Sequence, residues 1–492
     1  MGRSSTLLLS CHFLSSRWRC AILAGSLCAV SANPGFAADA DSIISNRGAG
    51  NNTLTAIYEL AIENDFTIAQ ARAQLRADSE VRKINRAGLL PNLTGNFTDS
   101  NADTDSLGQF AAGGAIFDNV TETDQFTETL SVSLSQPIFN MAAWFRFKQG
   151  VVLSEQGETR FALAQQDLLV RTINAYVAVL RAAYNLNASQ VQEEAFEIQL
   201  EQLNQRLEVG LVAITDVLEA QAAYDLAVAQ RINDTGLLDV SREQLTVLTG
   251  IEHSQPLWEI RPDFPVVDPE PASSTEWVNF ALANNLDIEF AKYAQEAARR
   301  GKQIAYSNHL PTLNFSYNFN DRESVSAQDN LRLGTSTRFP NDSESSTISF
   351  NLSVPLFTGG QLSASRRQAV ANLDAQTYGY EGTVRGVTQQ TRSLYAQMVS
   401  DAARSYARER AVTSAEAALE AAEAGFELGS RNIVDVVNAQ QVYFSAIRDR
   451  DNSVLDYILS MIQLKRLAGT LSPADIYDLN QWLEQPQPAP AQ

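Results

Sequence analysis

The chain has 492 residues, 57 Asp and Glu against 37 Lys and Arg, and a formal net charge of −20. Such an excess of acid argues against nucleic acid or anionic lipid as a partner, and fits either plain solubility or an acidic lumen. All three cysteines (Cys11, Cys20, Cys28) precede residue 38, and only His253 and His309 lie beyond it, far apart. With no phosphate-binding glycine loop, zinc helix motif or nucleophile elbow either, the sequence reads as neither an enzyme nor a binder of metal or cofactor.

Residues 1–37 read as a secretory signal peptide. Arg17 and Arg19 precede an apolar run from Ala21 to Val30, and Gly35 and Ala37 are small residues ahead of a cut before Ala38. A lipoprotein reading of Cys28 ranks lower, because Leu27 sits where a small residue is expected. Loss of Arg3, Arg17 and Arg19 takes the mature chain to −23. No later stretch approaches the roughly 20 apolar residues of a membrane-spanning helix, so the chain is either soluble in the periplasm or crosses a membrane as strands.

From there a module of elements runs through residues 38–270. A helix stops before Pro91, because the residue ahead of a proline disfavours helix. Leu93 and Phe97 then alternate with Asn92, Thr94, Asn96 and Thr98, and Leu130, Val132 and Leu134 alternate with Ser131, Ser133 and Ser135. Such strands, near 10 residues long, fit a transmembrane barrel with a wet interior, although a half-buried soluble sheet alternates identically. The Asn, Ser and Thr of the polar face favour the membrane reading. So does the cluster Trp144, Phe145, Arg146, Phe147, Lys148, which looks like an interfacial belt. Residues 101–122 read as an exterior loop. Pro137 is expected to end the strand and preset the first helical turn. No proline follows until Pro256, and Leu169, Ile173, Tyr176, Leu180 and Tyr184 step by three and four. A helix over residues 140–208 would be about 100 Å long, a length that belongs to coiled coils. Gly210 breaks it, and a shorter helix returns.

The same order recurs through residues 271–475. Leu90-Pro91 is echoed by Leu310-Pro311, Gln136-Pro137 by Val354-Pro355, Gly210 by Gly429, and Gly250 by Gly469, each about 219 residues on. Leu313, Phe315, Tyr317 and Phe319 form one strand face, and Ile348, Phe350, Leu352 and Val354 another, around an expected loop at 321–345. Residues 476–492 read as a flexible tail. Two modules supply only four strands, too few to close a barrel, and a membrane tolerates no open sheet edge. Several chains must therefore share one barrel; the count alone does not set the number.

The run from Arg206 to Val217, with Val209, Gly210, Ile214, Thr215 and Asp216, and its echo from Gly425 to Val436 closely resemble the two periplasmic turns of the TolC family of outer-membrane efflux proteins. The resemblance runs from about Leu54 to about Leu479. It implies a mostly helical α+β fold, with four transmembrane strands per chain completing a twelve-stranded β-barrel in a homotrimer and long coiled-coil-like helices forming an α-barrel. It also implies an exit duct for drugs, small molecules or proteins, a periplasmic adaptor, and an inner-membrane transporter of ABC, RND or similar type. Residue by residue, Asp435 matches an acidic ring at the narrow end, while Asn438 stands where some members carry a second acid. Arg431 matches an arginine tying the inner helix pair to the outer one through Thr215 and Asp216. Phe426 replaces a tyrosine that would donate to the same aspartate. Gln199 and Glu423 match a pair linking neighbouring protomers, and Val209, Gly210, Leu211, Leu428 and Gly429 resemble the tip that receives the adaptor. From the residues alone, Asp216 and Asp435 fit equally well as helix-start carboxylates. A passive porin would need more strands and no long helices, and a trimeric coiled-coil adhesin would show strict heptads.

Overall fold

A computed structural model describes residues 52–330 and 334–486; the expected signal peptide lies outside them. Two short helices, α1 (Leu54–Asn64) and α2 (Phe66–Ala87), are followed by strands β1 (Asn92–Ala112) and β2 (Ala115–Phe139), then helices α3 (Met141–Glu208) and α4 (Ile214–Thr249). The order recurs in α5 (Ser274–Asn284), α6 (Leu286–Ser307), β4 (Thr312–Asn330), β5 (Thr335–Ser353), α7 (Gln361–Glu427) and α8 (Ile433–Ala468). A two-residue strand β3 (Glu259–Ile260) lies between the halves, and α9 (Pro473–Asn480) with β6 (Leu483–Glu484) follows them. None of the described helices is long and apolar enough to cross a membrane.

Where one helix was expected before each first strand, there are two. Asp65 ends α1 and caps α2, accepting from Ile68 N–H at 2.8 Å, and Asn285 does the same between α5 and α6 at 3.0 Å. A short polar side chain that takes over a free N–H lets the chain turn and restart at once. Asp65 also receives both Nη atoms of Arg171 on α3, at 2.8 and 3.1 Å. Helix α2 lies close against α3, where a Cβ on Gly157 would come within 2.5 Å of Asp78 Cβ.

The four long strands form one antiparallel sheet in the order β1-β2-β4-β5, so β1 and β5 are its open edges. Register carries the alternation across all four. Leu93, Leu134, Tyr317 and Ile348 form one cross-strand row, and Thr94, Ser133, Asn318 and Thr347 the next. Hydroxyls bond along the polar rows, Thr94 to Ser133 and Ser316 to Ser349, each at 2.6 Å. Leu93, Phe97, Ile348, Phe350 and Leu352 are all exposed in the single chain.

Three expectations are corrected. The described residues of 101–122 and 321–345 are strand but for tight turns: the strands run on for 19 to 25 residues, and β1 turns into β2 at Gly113-Gly114. The ends of these hairpins are held by ladder hydrogen bonds, and their apolar residues are too irregularly spaced to announce a strand. Neither late proline starts a helix. Pro137 sits in β2 at an irregularity opposite Asn314, and α3 begins at Met141 under the cap of Asn140. Pro355 precedes a Gly359-Gly360 break before α7. Finally, the segment from residue 476 is no flexible tail as far as residue 486. Ile476, Leu479 and Leu483 are buried in the main core, and β6 pairs with β3.

That core gathers the middle of the long helices with α1 and α9, around Leu54, Ile57, Tyr176, Leu245, Tyr457 and Ile458. Tyr176 donates to Trp258 O at 2.6 Å and Tyr457 to Val267 O at 2.8 Å, so both buried rings place their hydroxyls on the linker between the halves. A second cluster lies toward the helical turns, with Phe196, Leu203, Val217, Ile433 and Val436.

Candidate functional site

Each long helix ends in the same turn. Gly210 (φ 75) and Gly429 (φ 71) adopt the left-handed conformation that side chains resist. Leu211 N–H then reaches back to Arg206 O at 2.9 Å, and Ser430 N–H to Gly425 O at 2.9 Å. These bonds satisfy carbonyls that the helix end leaves free. The turn leaves apolar side chains in solvent: Val209 is 70 % exposed, Leu211 74 % and Leu428 85 %. Exposed leucine and valine at two parallel tips form a surface that gains from being covered.

The carboxylates behind the tips cap helices. Asp216 accepts from Ala213 N–H at 3.2 Å. Asp435 accepts from Asn432 N–H at 3.3 Å, while Asn432 Oδ1 takes Asp435 N–H at 2.9 Å, a reciprocal capping box. Asp435 and Asn438 are both exposed, close to one turn apart on α8.

The Arg431–Asp216 pair is not made within one chain. Arg431 has no ion pair among the described residues, and its stem lies over Gly425, where a Cβ would sit 3.0 Å from Arg431 Cγ. Thr215 is exposed and Asp216 half-buried. Phe426 has a different partner, the Arg206 guanidinium 5.7 Å from its ring centroid. Gln199 and Glu423 border one groove. Arg206, Phe426, Val436 and Gln440 line it too; its volume is roughly 360 Å³, and Gln199 Oε1 and Gln440 Oε1 are buried there without partners. Sequence reasoning gave no role to Arg206, Asn432 or Gln440. The Asn432-to-Asp435 spacing is a legible cap; the Arg206–Phe426 contact joins residues over 200 positions apart and leaves no local signal.

A four-stranded sheet with one apolar face, joined to two long helical hairpins with bare apolar tips, defines a channel protein of the outer membrane. A model of the outer membrane efflux protein family matches residues 57–251 and again 277–470, and the chain belongs to that family. It is 33 % identical to the outer membrane protein TolC of Vibrio cholerae, over 88 % of this chain and 94 % of that one. It is 31 % identical to the alkaline protease secretion protein AprF of Pseudomonas aeruginosa, over 85 % of each. Among solved structures it superposes on CusC with a TM-score of 0.70 at 16 % identity, covering 85 % of this chain and 92 % of that one. VceC of Vibrio cholerae follows at 0.68 and 19 %, covering 85 % and 96 %. The protein is thus an outer-membrane efflux or secretion channel, of a family of ducts rather than enzymes, and its relatives do not favour a passive porin or an adhesin.

Proposed function

We propose that three copies of this chain form one exit duct, carrying drugs, small molecules or proteins from an inner-membrane transporter across periplasm and outer membrane. The observation that carries the reading is the open sheet. Strands β1 and β5 each present an unpaired edge, and hydrocarbon leaves unpaired backbone groups unsatisfied at several kcal/mol apiece. Pairing β5 of one copy with β1 of the next closes twelve strands in a ring of three. The apolar rows then face lipid and the Asn, Ser and Thr rows face the lumen.

The recurrence of element order, and of the family match, supports an internal duplication. The long helices then form a tunnel in the periplasm. At its end Val209, Gly210, Leu211, Leu428 and Gly429 receive a periplasmic adaptor, which couples the duct to an ABC, RND or similar transporter. Three Asp435 carboxylates, with Asn438 one turn away, ring the aperture. Because Arg431 has no ion pair among the described residues, the lock to Asp216 and Thr215 is assigned to neighbouring copies; the Gln199–Glu423 link is assigned there too. A deletion strain tests the duct: it should accumulate a dye or antibiotic, or fail to secrete a protein, and regain the wild-type level on complementation. A strain unchanged in all three would count against export.

A further inference from the structure

At the level of the main core, where the α3–α4 hairpin meets the α7–α8 hairpin, a patch of polar side chains lies beside the buried apolar ones. Arg181 of α3 donates to Asp456 of α8 at 2.6 Å. Arg404 of α7 lies 4.0 Å from the other oxygen of Asp456 and donates to the buried Asp401 at 2.7 Å. Nearby, Asn452 of α8 donates to Asn185 of α3 at 3.3 Å. These exchangeable polar contacts join one hairpin to the other beside the apolar packing of Leu180, Met398, Leu455 and Ile458.

A further carboxylate faces the same place. Asp234 of α4 lines a groove of about 640 Å³ together with Arg181, Asn185 and Asp456. It is only 3 % exposed, and Oδ1 accepts from Gln230 at 2.9 Å while Oδ2 is buried without a partner. A buried carboxylate oxygen with no donor is costly, so a cation within reach has a reason to turn to it.

Three carboxylates (Asp401, Asp456, Asp234) thus share two guanidiniums (Arg404, Arg181). In the arrangement seen here Asp456 is approached by both, and Asp234 by neither. Were Arg181 to turn to Asp234, Asp456 would keep Arg404, and every carboxylate would have a cation. We propose that Arg181 is the moving part of an ion-pair switch. Bonded to Asp456 it clamps the two hairpins together; bonded to Asp234 it lies within its own hairpin and releases the other. The two arrangements use the same number of charge pairs, so a modest bias at the tips suffices to move between them. Asp234 and Arg181 are then positioning residues for opening, an assignment that rests on the duct reading above.

Full-length protein in planar bilayers tests this. Asp456→Asn removes the clamped partner, and the frequency of openings should rise by about fivefold, the size of effect a half-exposed ion pair supports. Adding Asp234→Asn should return it to the wild-type level, because Arg181 then has nowhere else to go. Asp234→Asn alone should leave openings at or below wild type. Arg181→Gln removes both pairings at once, so its openings should match those of the double variant and not change when Asp234→Asn is added; it buries no new charge, so it serves if Asp456→Asn misfolds. An Asp456→Asn effect that persists undiminished in the double variant overturns the switch. So does an Arg181→Gln channel whose openings still change when Asp234→Asn is added. A wild-type protein that forms no channel at all strikes the duct reading instead.

Discussion

Asp65 performs two tasks that substitution can separate. Its carboxylate caps α2 through Ile68 N–H, and it receives both Nη atoms of Arg171, whose Nε goes to Asp167 at 2.7 Å. Asp65→Asn keeps the cap, since Asn and Asp rank equally there, but removes the charge. Breaking a fully buried pair costs about 3–5 kcal/mol. The Arg171 side chain is 33 % exposed against 6 % for Asp65, so water screens one partner, and the expected loss is nearer 2 kcal/mol. Asp65→Ala forfeits the cap as well, adding about 1 kcal/mol. Guanidinium unfolding of the detergent-solubilised protein, followed by circular dichroism, reads both. Burial tends to raise the Asp65 pKa, but the Arg171 hydrogen bonds and the N–H groups of Ile68 and Thr67 outweigh it and hold the carboxyl below its usual value. The stabilisation is therefore complete above the unfolded pKa and lost as pH falls through the folded one. Wild type and Asp65→Asn should differ by a constant amount above the unfolded carboxylate range and converge only as pH falls through the lowered folded pKa. Equal stabilities for Asn and Ala, or a gap that widens on acidification, would refute the division into cap and charge.

Glu259 and Glu484 sit directly opposite in the β3–β6 pair, and burial, with Glu484 and Asp451 nearby, pushes the Glu259 carboxyl up. Its ionised form weakens the clasp, so stability gained on acidification through the folded pKa should be reproduced at pH 7 by Glu259→Gln, by about 0.5 kcal/mol; slower amide exchange over residues 479–484 checks it. Arg431→Ser should raise single-channel conductance in planar bilayers if Arg431 locks neighbouring copies; unchanged conductance leaves Asp216 a plain helix cap. Asn438→Asp should strengthen block by a trivalent cation, and Asp435→Asn should nearly abolish it, since field scales with ring charge. If neither shifts blocking affinity, these residues do not line the aperture.

Much of this architecture can be read from the chain because it is periodic. Period-two alternation from Leu313 to Phe319 and the three-and-four spacing from Leu169 to Tyr184 each name an element before any contact is known. Gly210 and Gly429, in equivalent places, mark both turns, and the structure finds both left-handed. What escapes is set by contacts distant in sequence or by surfaces with no inside. The outer halves of the β-hairpins carry many acidic and small polar residues and only irregularly spaced apolar ones such as Leu107, Val120 and Val325, so a period of two is hard to read there. The ordered segment from Pro473 to Glu484 is short and acidic, and its place is fixed by Leu54, Tyr457 and Phe264, which lie elsewhere in the chain. The seam of Arg181, Asp234, Asp401, Arg404 and Asp456 joins four helices, and no local spacing announces it.

The central claim is that one chain cannot close its own membrane sheet and that three can. Native mass measurement of the full-length protein, extracted in mild detergent from isolated outer membranes, tests it most directly. The account predicts a species of three mature chains that persists on dilution in detergent. A monomer, or recovery of the protein from the soluble periplasm, would contradict it.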